Sequence, residues 1–463
     1  MIHYSLRMKI PDIQFLCSEC GDAFPKWLGK CPSCGSWNSL KEFKVPKEPK
    51  SERGKVKGGT NLVSIPVQTK NFTETHRIKT GFEECDRVFG NGIFPGSFIL
   101  LGGNPGIGKS TLALQIFLHL NKEKETALYF SGEESQEQIF HRSQRMEKIL
   151  NPEKIFSKIL STNSLEDIVE TIEREKPSIA IIDSIQMVGT ENSPLGNIAK
   201  IRENAEILLH VAKSTGTGII VIGHVTKEEE IAGPKILEHI VDAVLQLEGD
   251  ANSEIRILRP LKNRFGSTFE VGVFEMIDKG LRELKNPSEF FLAERARNAS
   301  GSAITVMREG SRNFLMEIQA LTLKTNFGLP RRTSRGVDIS KFHLLLAVVS
   351  KFTNLSCESY DAYLNVTSNL RITESACDLA IVAAIMSSRL EKEIPATTVI
   401  LGEVGLSGEV RSVASLESRI HEAEKLGFQK AIVPIIRNKI NISKSKIQIK
   451  EIKMISELGK ELF

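Results

Sequence analysis

The chain has 463 residues, of which 25% are charged and 41% hydrophobic, and a formal net charge of +4. These are ordinary values for a folded globular protein, and the length predicts about two to four domains rather than one core. No apolar run approaches the roughly 20 residues of a membrane span, and the amino terminus lacks the apolar segment of a secretory signal. A membrane role is therefore excluded, and a cytoplasmic location is expected.

Four of the seven cysteines form two C-x-x-C-G knuckles, separated by ten residues, near the amino terminus. Because two tight turns bring four thiolates together, the spacing predicts a closed, structural Zn²⁺ site with the ligands Cys17, Cys20, Cys31 and Cys34. A redox dithiol is the weaker alternative, since matched pairs are rarely redox motifs. The odd cysteine total, without an export signal, argues against a disulfide framework.

Both tryptophans of the chain, Trp27 and Trp37, fall in this module. They could stack on bases or on a partner protein, but we expect them to form the small core that so short a module needs beside its metal. Residues 44–70 mix lysine, proline and glycine without periodicity, which predicts a basic flexible linker.

The segment 103–110 reads Gly-Asn-Pro-Gly-Ile-Gly-Lys-Ser, an unbroken G-x-x-x-x-G-K-[ST] between an apolar strand and an apolar-periodic helix. Backbone amides of such a loop surround phosphate oxygens at the positive end of the helix dipole. The motif predicts that Lys109 reaches the β- and γ-phosphates of ATP and that the Ser110 hydroxyl completes a Mg²⁺ shell. The nucleotide-binding residues expected from this region and from the strand described next are Gly103, Asn104, Pro105, Gly106, Ile107, Gly108, Lys109, Ser110, Thr111 and Asp183.

Further apolar strands with polar ends follow the P-loop at 127–130, 179–183 and 219–224, separated by helical patterns. This alternation predicts a doubly wound parallel sheet whose ligands lie at the carboxyl ends of the strands. Asp183 ends an apolar run and is expected to orient Mg²⁺. Glu133 and Glu134 follow the neighbouring strand, and either could position the attacking water or begin a helix as an N-terminal acid.

In its P-loop, its Glu133 tip, Asp183 and its strand order, the chain resembles the RecA/DnaB class of oligomeric motors. With the cysteine knuckles, the Thr80-Gly81 entry and the pentapeptide Lys-Asn-Arg-Phe-Gly at 262–266, it more specifically resembles the bacterial RadA (Sms) family over essentially its whole length. The resemblance implies that Glu133 is the catalytic glutamate. It also implies that Lys262 and Arg264 act on a γ-phosphate across a subunit interface, for which an exposed basic turn is the alternative.

Two loops, 189–200 and 224–235, occupy positions where related motors contact single-stranded DNA. His224 could sense the γ-phosphate, although a lone histidine at a strand end is unremarkable. Three consecutive acids at 228–230 weaken the expectation that the second loop grips phosphates directly.

From about residue 287 the pattern changes to an α+β domain. Strands are predicted at 301–306, 315–321, 361–366 and 398–403, and amphipathic helices at 341–351 and 376–389. This region resembles the Lon protease proteolytic domain, including Gly-Glu-Val-Gly-Leu-Ser-Gly-Glu at 402–409. On that alignment Ala376 takes the place of the nucleophilic serine, Ser375 is one residue off, and Glu417 takes the place of the lysine base. The domain is therefore expected to be catalytically inactive.

The same domain is expected to serve as an oligomerisation and DNA-contact scaffold. Arg331, Arg332 and Arg335 form a basic cluster that could touch DNA.

These observations divide the chain into a zinc module (1–43), a linker (44–70), a RecA-like ATPase (71–286) and a Lon-like domain (287–463). The resemblance implies a DNA-dependent ATPase of recombination and double-strand break repair. Such a protein would bind single-stranded and branched DNA, promote branch migration as a homo-hexamer, and work with the RecA filament. An ATP-dependent Lon-like peptidase and a KaiC-like regulatory ATPase that binds proteins remain as alternatives.

Overall fold

The computed structural model describes residues 13–17, 23–24, 26–32, 35–44, 76–123, 125–146, 152–189, 198–223, 237–249, 253–296, 299–325, 328–367, 370–436 and 446–463. Within these residues, the strands form a three-stranded, a nine-stranded, a seven-stranded and a two-stranded sheet. None of the described helices combines the length and apolar character that crossing a bilayer requires.

The amino-terminal sheet is antiparallel, in the order β2-β1-β3. Its strands are β1 (Ile13–Cys17), β2 (Ala23–Phe24) and β3 (Leu40–Lys44). Its small core contains buried Cys31 and Leu40, with Phe15 and Phe24 packed against them. The tryptophans are not part of this core, so the expectation that they would form it is wrong.

The central nine-stranded sheet has the order β12-β11-β10-β9-β4-β8-β7-β5-β6. Its strands, in chain order, are β4 (Phe98–Gly103), β5 (Ala127–Ser131), β6 (Ile159–Ser161), β7 (Ile179–Asp183), β8 (Gly218–Ile222), β9 (Ala243–Glu248), β10 (Ile255–Asn263), β11 (Gly272–Ile277) and β12 (Gly280–Glu283). The six strands from β9 to β6 are parallel.

Helices cover both faces of the parallel strands. They are α1 (Glu83–Phe89), α2 (Lys109–Lys122), α3 (Gln136–Met146), α4 (Pro152–Phe156), α5 (Leu165–Glu175) and α6 (Ile198–Thr215). One apolar core lies under α1 and α2, and another lies under α5 and α6. Strands buried on both faces are nearly continuous apolar runs, as β4, β5 and β7 are up to the polar residues that end β5 and β7. The RecA-like, doubly wound prediction is confirmed.

The antiparallel strands β10, β11 and β12 extend this sheet at one edge, which the sequence reasoning did not predict. The connections between them, and the connection from β9, are too short for a helical crossover, so each strand must return antiparallel to the one before it. The last two residues of β10 begin the Lys-Asn-Arg-Phe-Gly segment.

The seven-stranded sheet has the order β15-β16-β14-β13-β17-β20-β21. Its strands are β13 (Ser302–Glu309), β14 (Arg312–Lys324), β15 (Arg332–Arg335), β16 (Tyr360–Val366), β17 (Thr398–Ile400), β20 (Lys430–Pro434) and β21 (Gln448–Ile452), and a separate hairpin contains β18 (Glu403–Val404) and β19 (Val410–Arg411). The helices are α7 (Pro287–Leu292), α8 (Ile339–Phe352), α9 (Asp378–Leu390), α10 (Leu416–Lys425) and α11 (Ile455–Leu462).

The predicted hairpin between residues 301 and 321 is confirmed, with both strands longer than expected. Helix α9 begins two residues later than predicted, because residues 375–377 form a short 3-10 turn before it. The α+β prediction for this part of the chain is confirmed.

The β13–β14 hairpin packs against the antiparallel end of the ATPase sheet. Glu84 of α1, only 1% exposed, accepts a hydrogen bond from the amide of Val273 at 2.9 Å and forms an ion pair with Arg312. A second ion pair joins Arg259 to Glu309 at 2.6 Å. The two sheets therefore share a contact surface that has both charged and apolar parts.

Candidate nucleotide-binding site

The P-loop connects the end of β4 to the start of α2. Gly103, Gly106 and Gly108 all have positive φ, and Gly108 immediately precedes the helix. A Cβ at Gly103 would lie 2.5 Å from the Leu247 carbonyl oxygen, so no larger residue fits there. The backbone thus has the sharply turned course that lets successive amides face a phosphate group.

Lys109 is 3% exposed, and its Nζ donates hydrogen bonds to the carbonyl oxygens of Gly103 at 2.8 Å and Asn104 at 3.0 Å. Burial lowers the pKa of this ammonium, whereas the carboxylates of Asp183 and Glu133 act in the opposite direction. A cation held between the loop and two carboxylates is placed to bind an anion that enters the loop.

Asp183 ends β7, beside β5, and is 7% exposed. The hydroxyl of Tyr129 donates a hydrogen bond to its Oδ2 at 2.6 Å, and the Asp183–Ser184 peptide is cis. Burial and the neighbouring carboxylate raise the pKa of Tyr129 well above its usual value, so the phenol keeps its proton and remains a donor. Sequence reasoning missed Tyr129. Its place inside an apolar run two residues before the end of β5 was the available signal.

Glu133 and Glu134 have different partners. The Ser184 hydroxyl donates to Glu133 Oε1 at 2.9 Å, whereas Glu134 pairs with Arg142 of α3 at 2.8 Å. Glu133 is therefore held next to the end of β7, and Glu134 is turned toward a helix. Of the two carboxylates, Glu133 is the one whose charge acts on Lys109.

The Lys-Asn-Arg-Phe-Gly segment lies at the amino end of β9, whereas the P-loop follows the carboxyl end of the adjacent parallel strand β4. Asn263 pairs with Ala243, the first residue of β9, whereas Gly103 pairs with Leu247 near its end. The ends of β9 are about 17 Å apart at ~3.3 Å per residue. Lys262 and Arg264 are thus separated from the P-loop of the same chain by the length of the strand.

Within its protomer this segment is anchored from several sides. Lys262 donates to the carbonyl oxygens of Glu238 and Val241, and the pKa of its ammonium is lowered by burial and by Arg264. Phe265 stacks on Phe94 with ring centroids 4.7 Å apart. The Arg264 side chain remains 57% exposed, with one long contact of 3.4 Å to Asp242. The arginine is therefore presented to solvent by a rigidly docked loop.

In the carboxyl-terminal domain, Ala376 is buried and Glu417 is exposed. Ser375 donates its hydroxyl to Glu403 at 2.6 Å, which pairs it with a carboxylate rather than with a lysine. The adjacent Glu374 forms two hydrogen bonds with Arg419, at 2.7 and 2.6 Å.

Of the four predicted zinc ligands, Cys20 and Cys34 lie outside the described residues. Cys17 ends β1, and Cys31 is 1% exposed at the start of a tight turn in which its carbonyl accepts from the Gly35 amide at 2.9 Å. A buried cysteine thiol at such a turn fits a Zn²⁺ ligand. Most of the predicted DNA-contact loops, including His224, also lie outside the described residues. Of the three arginines predicted to contact DNA, Arg331 precedes the edge strand β15 and is exposed, Arg335 ends that strand and is exposed, and Arg332 begins it and is half-buried.

Comparison with known proteins shows close relatives along nearly the whole chain. A Bacillus subtilis (strain 168) protein named DNA repair protein RadA is 44% identical over 425 residues, which cover 91% of this chain and 92% of the relative. Proteins of the same name from Pseudomonas aeruginosa and Haemophilus influenzae are 43% and 41% identical. They cover 90% and 97% of this chain, and 92% and 98% of their own lengths are matched. The chain belongs to the RadA family of DNA repair proteins.

Three family models match separate parts of this RadA family member. The KaiC ATPase model matches residues 78–282, and a rubredoxin metal-binding domain model (a zinc ribbon) matches residues 15–42. The model for subunit ChlI of Mg-chelatase matches residues 344–437. The family resemblance and the fold class read from the sequence, a zinc ribbon before a RecA-like ATPase and a Lon-like domain, are both confirmed.

Proposed function

We propose that this protein is a DNA-dependent ATPase that promotes branch migration of recombination intermediates in double-strand break repair. It binds single-stranded and branched DNA, assembles as a homo-hexamer in the cytoplasm, and works with the RecA filament. Membership of the RadA family and the RecA-like core support the coarser statement, an ATPase of DNA repair. The oligomeric part of the finer statement rests on where the fold places Arg264.

The separation of Arg264 from its own P-loop carries this proposal. An arginine near the amino end of β9 can reach a triphosphate only when that triphosphate is bound by another protomer. An arginine supplied in this way stabilises charge on the transferred phosphoryl group and makes hydrolysis depend on assembly. We assign this role to Arg264 and Lys262.

At the P-loop we assign ATP binding to residues 103–111 and positioning of the attacking water to Glu133. Ser110 and Asp183 would hold Mg²⁺, a metal that neutralises charge developing on phosphate oxygens. The buried carboxylate of Asp183 next to the loop fits such a hard cation. We likewise assign structural Zn²⁺ to the four cysteines, and domains to residues 1–43, 71–286 and 287–463, with 44–70 as linker and the last domain catalytically inactive.

The test is ATP hydrolysis with and without single-stranded DNA, in the intact chain and in Arg264→Ala. We expect DNA to stimulate the intact protein and to leave Arg264→Ala at least about 100-fold slower, with unchanged nucleotide affinity. The matched control is Arg174→Ala, because Arg174 is similarly exposed (59%) and also pairs with a carboxylate, on α5. If Arg264→Ala hydrolyses ATP as fast as Arg174→Ala, the assigned role is wrong.

A mixing experiment separates action in trans from action in cis. Arg264→Ala keeps an intact P-loop, and a P-loop-deficient protomer keeps its arginine. Mixed oligomers should therefore regain part of the activity that neither variant has alone. Strictly monomeric protein whose ATP turnover ignores DNA would instead indicate the KaiC-like alternative. Casein hydrolysis that disappears in Ser375→Ala would indicate the peptidase alternative.

Tyr129→Phe tests the support of Asp183 by removing one hydroxyl group and little volume. Loss of the hydrogen bond to Asp183 should raise the Mg²⁺ concentration needed for half-maximal ATP hydrolysis about tenfold, because groups that orient a metal ligand contribute to metal affinity. Nucleotide binding without Mg²⁺ should not change. If the Mg²⁺ dependence stays the same and only thermal stability falls, the hydrogen bond is structural.

A further inference from the structure

Among the described residues of the amino-terminal module, the two tryptophans are the most exposed large apolar side chains. Trp37 is 73% exposed, Trp27 is 54% exposed and the adjacent Leu28 is 40% exposed. A module of this size gains little stability from its core, so exposing two indoles gives up burial that it could have used. Exposed aromatic side chains grouped in this way are typical of a contact surface.

The second cysteine knuckle fixes one of these indoles in place. Its hairpin closes through a hydrogen bond from the Cys31 amide to the Ser36 carbonyl and another from the Asn38 amide to the Gly29 carbonyl, both 2.9 Å. Lys30 and Trp37 are therefore bridge partners across the mouth of the turn, and the Lys30 ammonium lies 5.6 Å from the centroid of the Trp37 ring. The cation and the aromatic face are presented together.

Gly29 leaves a space that both indoles border. A Cβ at this position would lie 3.8 Å from Cη2 of Trp27 and 4.0 Å from Cζ3 of Trp37. The two indoles therefore flank Gly29, each at van der Waals distance from the place that a methyl group would take. Two exposed indoles this close to one backbone position form a single aromatic patch on which a flat aromatic group can stack.

The charge around the indoles is positive. Residues 26–32 and 35–43 include three lysines, all exposed, and one acidic residue, Glu42: the lysines are Lys26, Lys30 and Lys41. The linker at 44–70 adds seven Lys or Arg against two Glu. A partner that fits has planar aromatic groups and regularly spaced negative charges. A single nucleic acid strand has both, whereas base pairing in a duplex hides the faces of the bases.

We propose that Trp27, Trp37 and Lys30 form a stacking platform for the bases of single-stranded DNA. The platform deepens the proposed action on DNA and rests on it. It gives the zinc module the task of holding an unpaired strand, while ATP is hydrolysed more than 60 residues further along the chain.

The intrinsic fluorescence of the full-length chain tests the platform directly, because Trp27 and Trp37 are its two tryptophans. Titration with oligo(dT) should quench the emission. An abasic oligonucleotide of the same length has the same phosphates but no bases, and it should not quench the emission. Trp37→Ala should weaken oligo(dT) binding by about 5- to 100-fold, and Trp37→Phe should retain most of the affinity because phenyl rings also stack.

The control is Phe269→Ala, which removes a similarly exposed ring (67%) from the ATPase part of the chain and should bind oligo(dT) normally. Equal zinc content in all variants shows that the module is folded. If DNA stimulates ATP hydrolysis but neither quenches fluorescence nor distinguishes Trp37→Ala, the platform is wrong, the proposed function stands and a protein is the better partner. If quenching occurs without stimulation, the platform stands and the proposed function fails.

Discussion

Lys109→Ala is expected to reduce ATP hydrolysis by at least about 100-fold and to weaken nucleotide binding. The Lys109 ammonium is 3% exposed, sits on the carbonyl groups of Gly103 and Asn104, and faces Asp183 and Glu133. Without it, a polyanionic triphosphate would enter a loop next to two carboxylates whose charge the lysine no longer offsets. Steady-state hydrolysis and binding of a fluorescent ATP analogue measure both effects.

Lys122→Ala is the control for this substitution. Lys122 is the last residue of the same helix and is exposed, so it tests the loss of a lysine from α2 without touching the P-loop. We expect it to hydrolyse ATP normally. Hydrolysis by Lys109→Ala within a fewfold of the Lys122→Ala rate would contradict the assignment of this loop as the ATP site.

The second large effect concerns stability. Glu374→Ala is expected to destabilise the carboxyl-terminal domain by about 3–5 kcal/mol, because it leaves a buried guanidinium group without its carboxylate partner. Arg419 is 1% exposed and forms two hydrogen bonds with Glu374, at 2.7 and 2.6 Å. Hydrogen exchange of the β13–β14 hairpin in the full-length chain measures the loss, since Arg419 also donates to the Val306 carbonyl at 2.6 Å.

Replacing both partners separates the stranded charge from lost packing. Glu374→Ala combined with Arg419→Met removes the charge together with its partner, and should recover part of the stability. Lys425→Ala breaks an exposed ion pair with Glu422 in the same domain and should cost less than about 1 kcal/mol. If Glu374→Ala is as mild as Lys425→Ala, the Glu374–Arg419 pair does not stabilise this fold.

The location of this pair bears on the Lon resemblance. Glu374 immediately precedes Ser375, and Arg419 follows two residues after Glu417, the position aligned with the lysine base. The Glu374–Arg419 ion pair thus joins the turn at the serine position to the helix at the lysine position. From the resemblance to the Lon domain, the sequence analysis predicted that both dyad residues are replaced. It could not show this ion pair, which depends on how α10 packs against the residue 374–377 turn.

The features that could be predicted from the chain before its structure was known are those formed by consecutive residues. The P-loop, the cysteine knuckles and the Lys-Asn-Arg-Phe-Gly segment are local motifs, and apolar runs buried on both faces predicted the parallel core of the ATPase. These inferences need no knowledge of sheet order, because the glycines, the cysteines and the strand periodicity act within a few residues of one another.

Which distant residues are in contact, and which are far apart, depends on the tertiary structure. The order of the strands places Tyr129 next to Asp183 and gives Glu133 and Glu134 different partners. Because β10 runs antiparallel to β9, Arg264 lies near the amino end of β9, away from the P-loop. The tryptophans, expected inside the zinc module, are exposed because cysteine, leucine and phenylalanine side chains form its core. Such contacts depend on register and packing between elements distant in the chain, and no local pattern of residues records them.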